Sequence, residues 1–324
     1  MELVEGRLAG IGDVMNYYAE KIPEDFPLYF HPKWLNLVCK GKWNVVIVLY
    51  QGEIMGAHPY CIFSDSVKPA LTMPEFTPVL GPYVRKRTFS SNTKALSYEM
   101  EVLEKLMAQL PDFKAYDYKW HPACKNWLPF YWAGFNQSTR YTYVLHKPET
   151  LEIAWKNVKE AAQRQIKKGR KFLSITQHHD AERFYALIKH TYKNQKTTVP
   201  YSVNELDNLL KGIAQEKMGA VFTSYDEAGN DIGSLLIVWD SENYYYLIGG
   251  LNHEIDTHGT MSFLLWHICE MAFSEGKSFD FQGSMIKPIE RFFRNFGGEL
   301  TPYFKITKTN TTIMERLLHK IKKT

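Results

Sequence analysis

Residues Tyr244–Tyr303 read YYYLIGGLNHEIDTHGTMSFLLWHICEMAFSEGKSFDFQGSMIKPIERFFRNFGGELTPY. An aromatic, β-forming run, Tyr244–Gly250, feeds the loop Leu251–Gly259, a helix over Thr260–Glu275 and a short strand, Ser278–Phe281. The helix has marked ends: Thr257 or Thr260 can cap its start, and Gly276 stands where a left-handed residue terminates it. Its apolar character predicts burial.

The first N–H groups of that helix face the loop Asn252–Gly259. Unpaired donors and a partial positive charge at a helix N-terminus suit a phosphate or carboxylate. Asn252, His258, Gly259 and Thr260 are the residues placed to bind a cofactor there. Any strand–loop–helix unit has this geometry, so the spacing fits a purely structural loop as well.

Beyond the helix, Phe279 and Phe281 alternate with Asp280 and Gln282, and a period of two puts the carboxylate and the amide on one face. They lie near the C-terminal end of a strand, where open α/β sheets bind ligands. Asp280 is the candidate to orient or deprotonate an amine nucleophile, with Gln282 and Ser284 as substrate-binding neighbours. The alternative is a buried Asp that caps the Gly283-Ser284 loop.

Upstream, the second half opens with helices over Pro148–Lys168, Ala181–Asn194 and Val203–Glu216. Hairpin strands Gly219–Tyr225 and Ile232–Trp239 follow, joined at Glu227–Asp231. The first half has helical material around Ile11–Lys21, then Trp43–Tyr50 and Ile54–Phe63 joined by Gln51-Gly52, the signature of an antiparallel hairpin. An extended stretch Phe76–Tyr83, a basic loop Val84–Ser90, a helix Ser91–Leu110 and the run Phe113–Trp120 complete it. The similar order of elements is what a structural duplication leaves behind. Pro148 and Thr150 punctuate the boundary, giving domains 1–147 and 148–324.

The composition fits two packed cores: 324 residues, 45% apolar and 23% charged. An aromatic content of 15% favours sheet-rich packing. A formal charge of +4 is too small for a dedicated nucleic-acid binder. The four cysteines form no CxxC pair, which points to reduced, mostly buried thiols. The histidines lack metal-ligand spacing, so no metal site is expected. No run reaches the roughly 18 to 20 apolar residues of a membrane helix, and the N-terminus does not read as a secretion signal. The expectation is a cytoplasmic protein, or one peripheral at the inner face of the membrane.

The positive charge is local. Lys156–Lys171, with Arg164 and Lys167 as candidate substrate-binding residues, could meet phosphates of a nucleotide-linked precursor or an RNA; a solvated helix face is the plain alternative. The tail Thr312–Lys323 reads as a basic amphipathic helix that suits an anionic membrane surface or packs on its own domain.

The sequence FDFQGS, the amphipathic Ile286–Arg294 and NFGGELTPY, together with WKNVKEAAQRQIKKGRK at Trp155–Lys171, resemble the FemABX-like branch of the acetyltransferase (GNAT) fold superfamily. The resemblance spans about Leu145 to Lys305. It implies an α+β protein of two tandem GNAT-like domains, each a mixed, mostly antiparallel sheet flanked by helices. It also implies direct transfer of an activated acyl or aminoacyl group to an amine, in cell-envelope metabolism for the best-known relatives. No tightly bound cofactor is implied; acyl-CoA or aminoacyl-tRNA is the co-substrate. The partners implied are a small-molecule or lipid-linked amine acceptor and a transfer RNA.

Two positions depart from the resemblance. The acyl-CoA loop of the superfamily reads Gln/Arg-x-x-Gly-x-Gly/Ala, whereas here Asp256-Thr257-His258-Gly259-Thr260-Met261 matches only at Gly259. Transfer-RNA-dependent members carry a lysine where this chain has Phe293, with Arg294 beside it as the candidate to polarise a carbonyl. Tyr303 is the candidate acid toward a leaving group, or a core residue. The rival readings are a non-catalytic binding protein of the same fold and an RNA-contacting module around Lys156–Lys171.

Overall fold

A computed structural model describes residues 4–5, 14–63, 68–148, 150–255 and 259–310. The chain forms two compact units. One takes in the described residues up to Arg140 and those from Pro302 on; the other is Tyr141–Thr301. The expected boundary after residue 147 therefore sits at 140/141. The stretch from Pro302, assigned by sequence to the second domain, belongs to the first unit.

In the first unit the strands are β1 (Val4–Glu5), β2 (Trp43–Tyr50), β3 (Glu53–Ile62), β4 (Ala70–Thr72), β5 (Tyr83–Val84) and β6 (Ala115–Lys119). The helices are α1 (Val14–Lys21), α2 (Pro32–Cys39), α3 (Asn92–Ala108) and α4 (Leu128–Trp132). The β2–β3 hairpin turns at Gln51 and Gly52, with φ of 51° and 80°; two positive values are what a two-residue turn needs to match strand twist. β4 then runs parallel to β6 through the α3 crossover, and β6 pairs antiparallel with Lys305–Thr309.

The second unit repeats this plan. Its elements are β7 (Asn136–Leu145, of which Tyr141 onward belongs here), α5 (Leu151–Asn157), α6 (Glu160–Phe172), β8 (Ser174–His178), α7 (Ala181–Asn194), α8 (Val203–Gln215), β9 (Gly219–Tyr225), β10 (Asp231–Trp239), β11 (Asn243–Leu251), α9 (Thr260–Ser274), β12 (Ser278–Asp280), α10 (Lys287–Arg294) and the start of β13 (Glu299–Thr309). The strand order is β7-β12-β11-β10-β9-β8. Only β11 and β12 pair in parallel, through the α9 crossover. Both units thus join antiparallel neighbours to one parallel pair closed by a helix, the layout inferred for a duplication.

Two elements differ from expectation. The single helix over Pro148–Lys168 is broken into α5 and α6 at Val158–Lys159, both extended. The break is fixed from outside: Lys159 N–H donates to Asn295 O at 2.8 Å, and Gly297 leaves no room for a Cβ against Asn157. β8 was not foreseen, because its residues are only partly covered and show no apolar alternation. The predicted helices near α7, α8 and α9 are present; α8 carries a full Ser202–Glu205 capping box. The tail Thr312–Lys323 lies outside the described residues. Among those described, no helix is long and apolar enough to cross a membrane.

Helices cover both faces of the second sheet. A Cβ on Gly250 would meet the α7 backbone at Leu187–Ile188, whereas one on Gly249 would meet Met261 of α9. Adjacent strand residues point to opposite faces, so α7 and α9 lie on opposite sides. The core on the α9 side joins Ile166 of α6, Leu264 and Ile268 of α9, Phe279, Phe281 and Phe296.

Candidate functional site

The site is built on the end of the one parallel pair. β11 and β12 pair only over Asn243–Tyr245 and Ser278–Asp280. β12 stops there, but β11 continues to Leu251, so the two strands part at the Tyr245–Asp280 pair. The register of β10 against β11 slips at the same place: Leu236 faces Ile248 and Ile237 faces Tyr246, leaving Leu247 as the extra residue of a bulge. A bulge bends its strand and sharpens the twist, and here it carries β11 away from β12.

A cavity of about 520 Å³ occupies the parting. Its walls include Tyr246, Gly249, Gly250 and Leu251 of β11, Met261, Ser262 and Leu265 of α9, and Ile289, Phe292 and Phe293 of α10. Past Tyr245, the β11 backbone groups on this edge have no β12 partner, and at its far end Leu251 N–H donates to Thr191 Oγ1 of α7 at 2.8 Å. Buried N–H and C=O groups without partners are costly, so such an edge is suited to an extended ligand that carries amides.

The α9 N-terminus closes one end. Gly259, at φ 72°, is its cap and makes no side-chain capping bond; Thr257, the other cap candidate, lies outside the described residues. Thr260 is therefore the first helical residue and not the cap, and it is fully buried. The equivalent α3 of the first unit is capped by Ser91, whose Oγ accepts from Lys94 N–H. A Cβ at Gly259 would strike the Gln165 side chain of α6, so glycine permits both the left-handed cap and the close approach of α6. Met261, a poor fit to the superfamily loop, extends toward Gly249 and forms cavity wall. Asn252 closes a turn, its Oδ1 accepting from Glu254 N–H. His258 lies outside the described residues.

Tyr246 was not singled out from the sequence. Its hydroxyl lies over Gly249, its ring meets Phe293 edge-on, and no described residue hydrogen-bonds to it. Burial pushes the hydroxyl pKa above its usual range, so the group stays protonated and available as a donor. The run of three tyrosines ending at a Gly-Gly pair was the available signal: glycines late in a strand mark a close approach.

Asp280 sits at the apex of the parting but not in the cavity lining. It pairs with Tyr245, whose side chain faces opposite to that of Tyr246, so Asp280 is on the α7 face. It is 6% exposed. Thr142 Oγ1 donates to its Oδ1 at 2.6 Å, and Gln282 N–H donates to the same oxygen at 2.7 Å. The second bond caps the loop as the alternative sequence reading foresaw, and both leave Oδ2 to other partners. Burial pushes the carboxyl pKa up to about 6, against the opposing effect of the Thr142 and Gln282 hydrogen bonds.

Gln282 does not continue the strand alternation. It is left-handed at φ 56°, a strained conformation for a residue with a side chain, and its buried Nε2 has no partner among the described residues. Ser284 Oγ accepts from Ile286 N–H.

The remaining candidates are engaged elsewhere. Arg294 is paired with Glu290 one turn back at 3.3 Å, and Glu290 also accepts from the Tyr143 hydroxyl at 2.6 Å. Tyr303 is a buried residue of the first unit. Arg164 is exposed beside Glu160, and Lys167 lies over the Trp155 ring. Among the described residues there is no cluster of three or more His, Cys, Asp or Glu side chains able to hold a metal.

Residues 156–293 match the family model described as acetyltransferase (GNAT) domain. Solved structures give the same fold. FemX is 11% identical, with a TM-score of 0.65 over 94% of this chain and 97% of its own. A tandem GNAT protein from the clavulanic acid biosynthesis pathway is 11% identical, with a TM-score of 0.50 over 96% and 99%. The C-terminal domain of a putative lysylphosphatidylglycerol synthetase from Agrobacterium fabrum is 10% identical, with a TM-score of 0.52 over 86% and 90%. No curated protein matches the chain in sequence.

Proposed function

We propose that this chain, which has the tandem acetyltransferase (GNAT) fold, is an acyltransferase that joins an activated acyl or aminoacyl group to an amine by direct transfer at the parting of β11 and β12. The observation that carries this is the cavity bounded by the β11 edge that β12 leaves after Tyr245 and by a helix N-terminus whose cap residue is a glycine. The edge can pair with the amides of a pantetheine-like arm, and the helix start can meet its phosphates. Acyl-CoA or aminoacyl-tRNA remains the donor class, as a co-substrate.

The chemistry follows from which group lies on which face. The donor's carbonyl carbon reaches the apex from the α9 side, and the amine approaches from the side of Asp280. Ionised Asp280 takes a proton from the ammonium; the freed nitrogen forms the new C–N bond as the bond from carbonyl carbon to leaving group breaks. The Tyr246 hydroxyl is placed to donate to the carbonyl oxygen or to the departing atom. Proximity supplies much of the rate, and no covalent enzyme intermediate is needed.

A lipid-linked or cell-envelope acceptor is part of this reading. Its support is the likeness in fold to proteins named FemX and lysylphosphatidylglycerol synthetase.

The test is product analysis by mass spectrometry after incubating the protein with CoA thioesters or aminoacyl-tRNA and a panel of amines that includes muropeptides and aminolipids. An amide product that needs the protein supports the proposal. Failure of every donor to discharge onto any amine would leave the non-catalytic binding reading.

A further inference from the structure

We infer that the cavity beside β11 selects a neutral, apolar acyl group and turns away acyl groups that carry a free ammonium. This rests on the cavity being the donor site. Its walls are formed by Leu251, Met261, Leu265, Ile289, Phe292 and Phe293, and among the described lining residues there is no Asp or Glu. The polar groups that remain are neutral hydroxyls and amides, together with His253.

The described acidic residues of α9, α10 and the loop after β11 are already paired. Glu290 of α10 holds Tyr143 and Arg294. Glu270 of α9 accepts two hydrogen bonds from Arg170 and one from Trp266. Glu254 of the loop meets Lys193 at 3.5 Å. An ammonium held against these walls would lose water without gaining a carboxylate, since Asp280 faces the other side of the sheet and is not in the lining, and an uncompensated buried charge is strongly disfavoured. A methyl group in the same position gains by leaving water. At about 520 Å³ the space also has room for a chain of several carbons.

Butyryl-CoA and β-alanyl-CoA give a matched pair, since their acyl groups have the same number of heavy atoms and differ in ending with a methyl or an ammonium. Titration calorimetry of each, and of CoA alone, into the wild-type protein should show butyryl-CoA binding at least tenfold tighter than β-alanyl-CoA. The Ile289→Asp variant, with a carboxylate in the wall, should narrow or reverse that ratio, which a fraction of misfolded protein cannot do. Equal or tighter binding of β-alanyl-CoA, with butyryl-CoA still bound, would overturn the inference and leave the donor site standing. Failure of all three to bind would overturn the donor site and the inference with it.

Discussion

The hydroxyl of Tyr246 lies over Gly249, so that any side chain at 249 would displace it. This contact joins the bulged part of β11 to the wall of the cavity. It makes the absence of a Cβ at one residue the condition for a donor group at another.

Gly249→Val should therefore act on binding more than on stability. The atoms it meets are the tips of Tyr246 and Met261, which can swing aside at a cost of roughly 1 kcal/mol. Swinging aside fills the cavity. Affinity for a CoA thioester should fall at least tenfold, measured by calorimetry, with chemical denaturation showing only the modest drop in midpoint that this cost implies.

Tyr246→Phe removes a hydroxyl that has no hydrogen bond to any described residue, so the variant should be as stable as the wild type. Donor affinity should be retained, and turnover should drop by about tenfold to a hundredfold, the usual worth of a positioned proton donor. Steady-state kinetics separate the two effects.

Asp280→Asn should make the protein more stable and less active at pH 8. Folding raises the Asp280 pKa from its ordinary value of 3.8 to about 6, so the folded state binds the extra proton. Stability is therefore highest below pH 4 as far as this group is concerned, and is lost as pH rises toward 6 and above, by about 3 kcal/mol in total. Asparagine removes that slope and keeps an oxygen for Thr142 and Gln282. Thermal melts from pH 4 to 8 check the stability; a kcat/KM profile that rises through about pH 6 in the wild type and is flat and low in the variant checks the role as base.

Gly169→Leu tests the packing that holds the cap of α9. A Cβ at 169 would come within 2.5 Å of Phe263 Cβ, forcing α6 off α9. Overpacking of this kind costs about 1–3 kcal/mol, which urea denaturation would register as a lower midpoint.

The sequence made the architecture legible where local chemistry decides it. Gln51-Gly52 announced the β2–β3 turn, and Gly276 ended α9. It could not show the α5–α6 break, which Asn295 and Gly297 impose from far along the chain. Nor could it show that the strand after Pro302 belongs to the first unit, since that depends on pairing with β6. The site divides in the same way. Asp280, Gly259 and the α9 start were visible as a strand end and a helix end. Tyr246 and the α10 wall were not, because a bulge at Leu247 and the early stop of β12 decide which side chains line the space.

The most direct test of the account is hydrogen–deuterium exchange of the whole protein with and without saturating butyryl-CoA. Protection concentrated in Tyr246–Gly250 and the first turn of α9 is the result expected from a donor lying along the β11 edge that β12 leaves. Unchanged exchange in those segments while the ligand binds would contradict it.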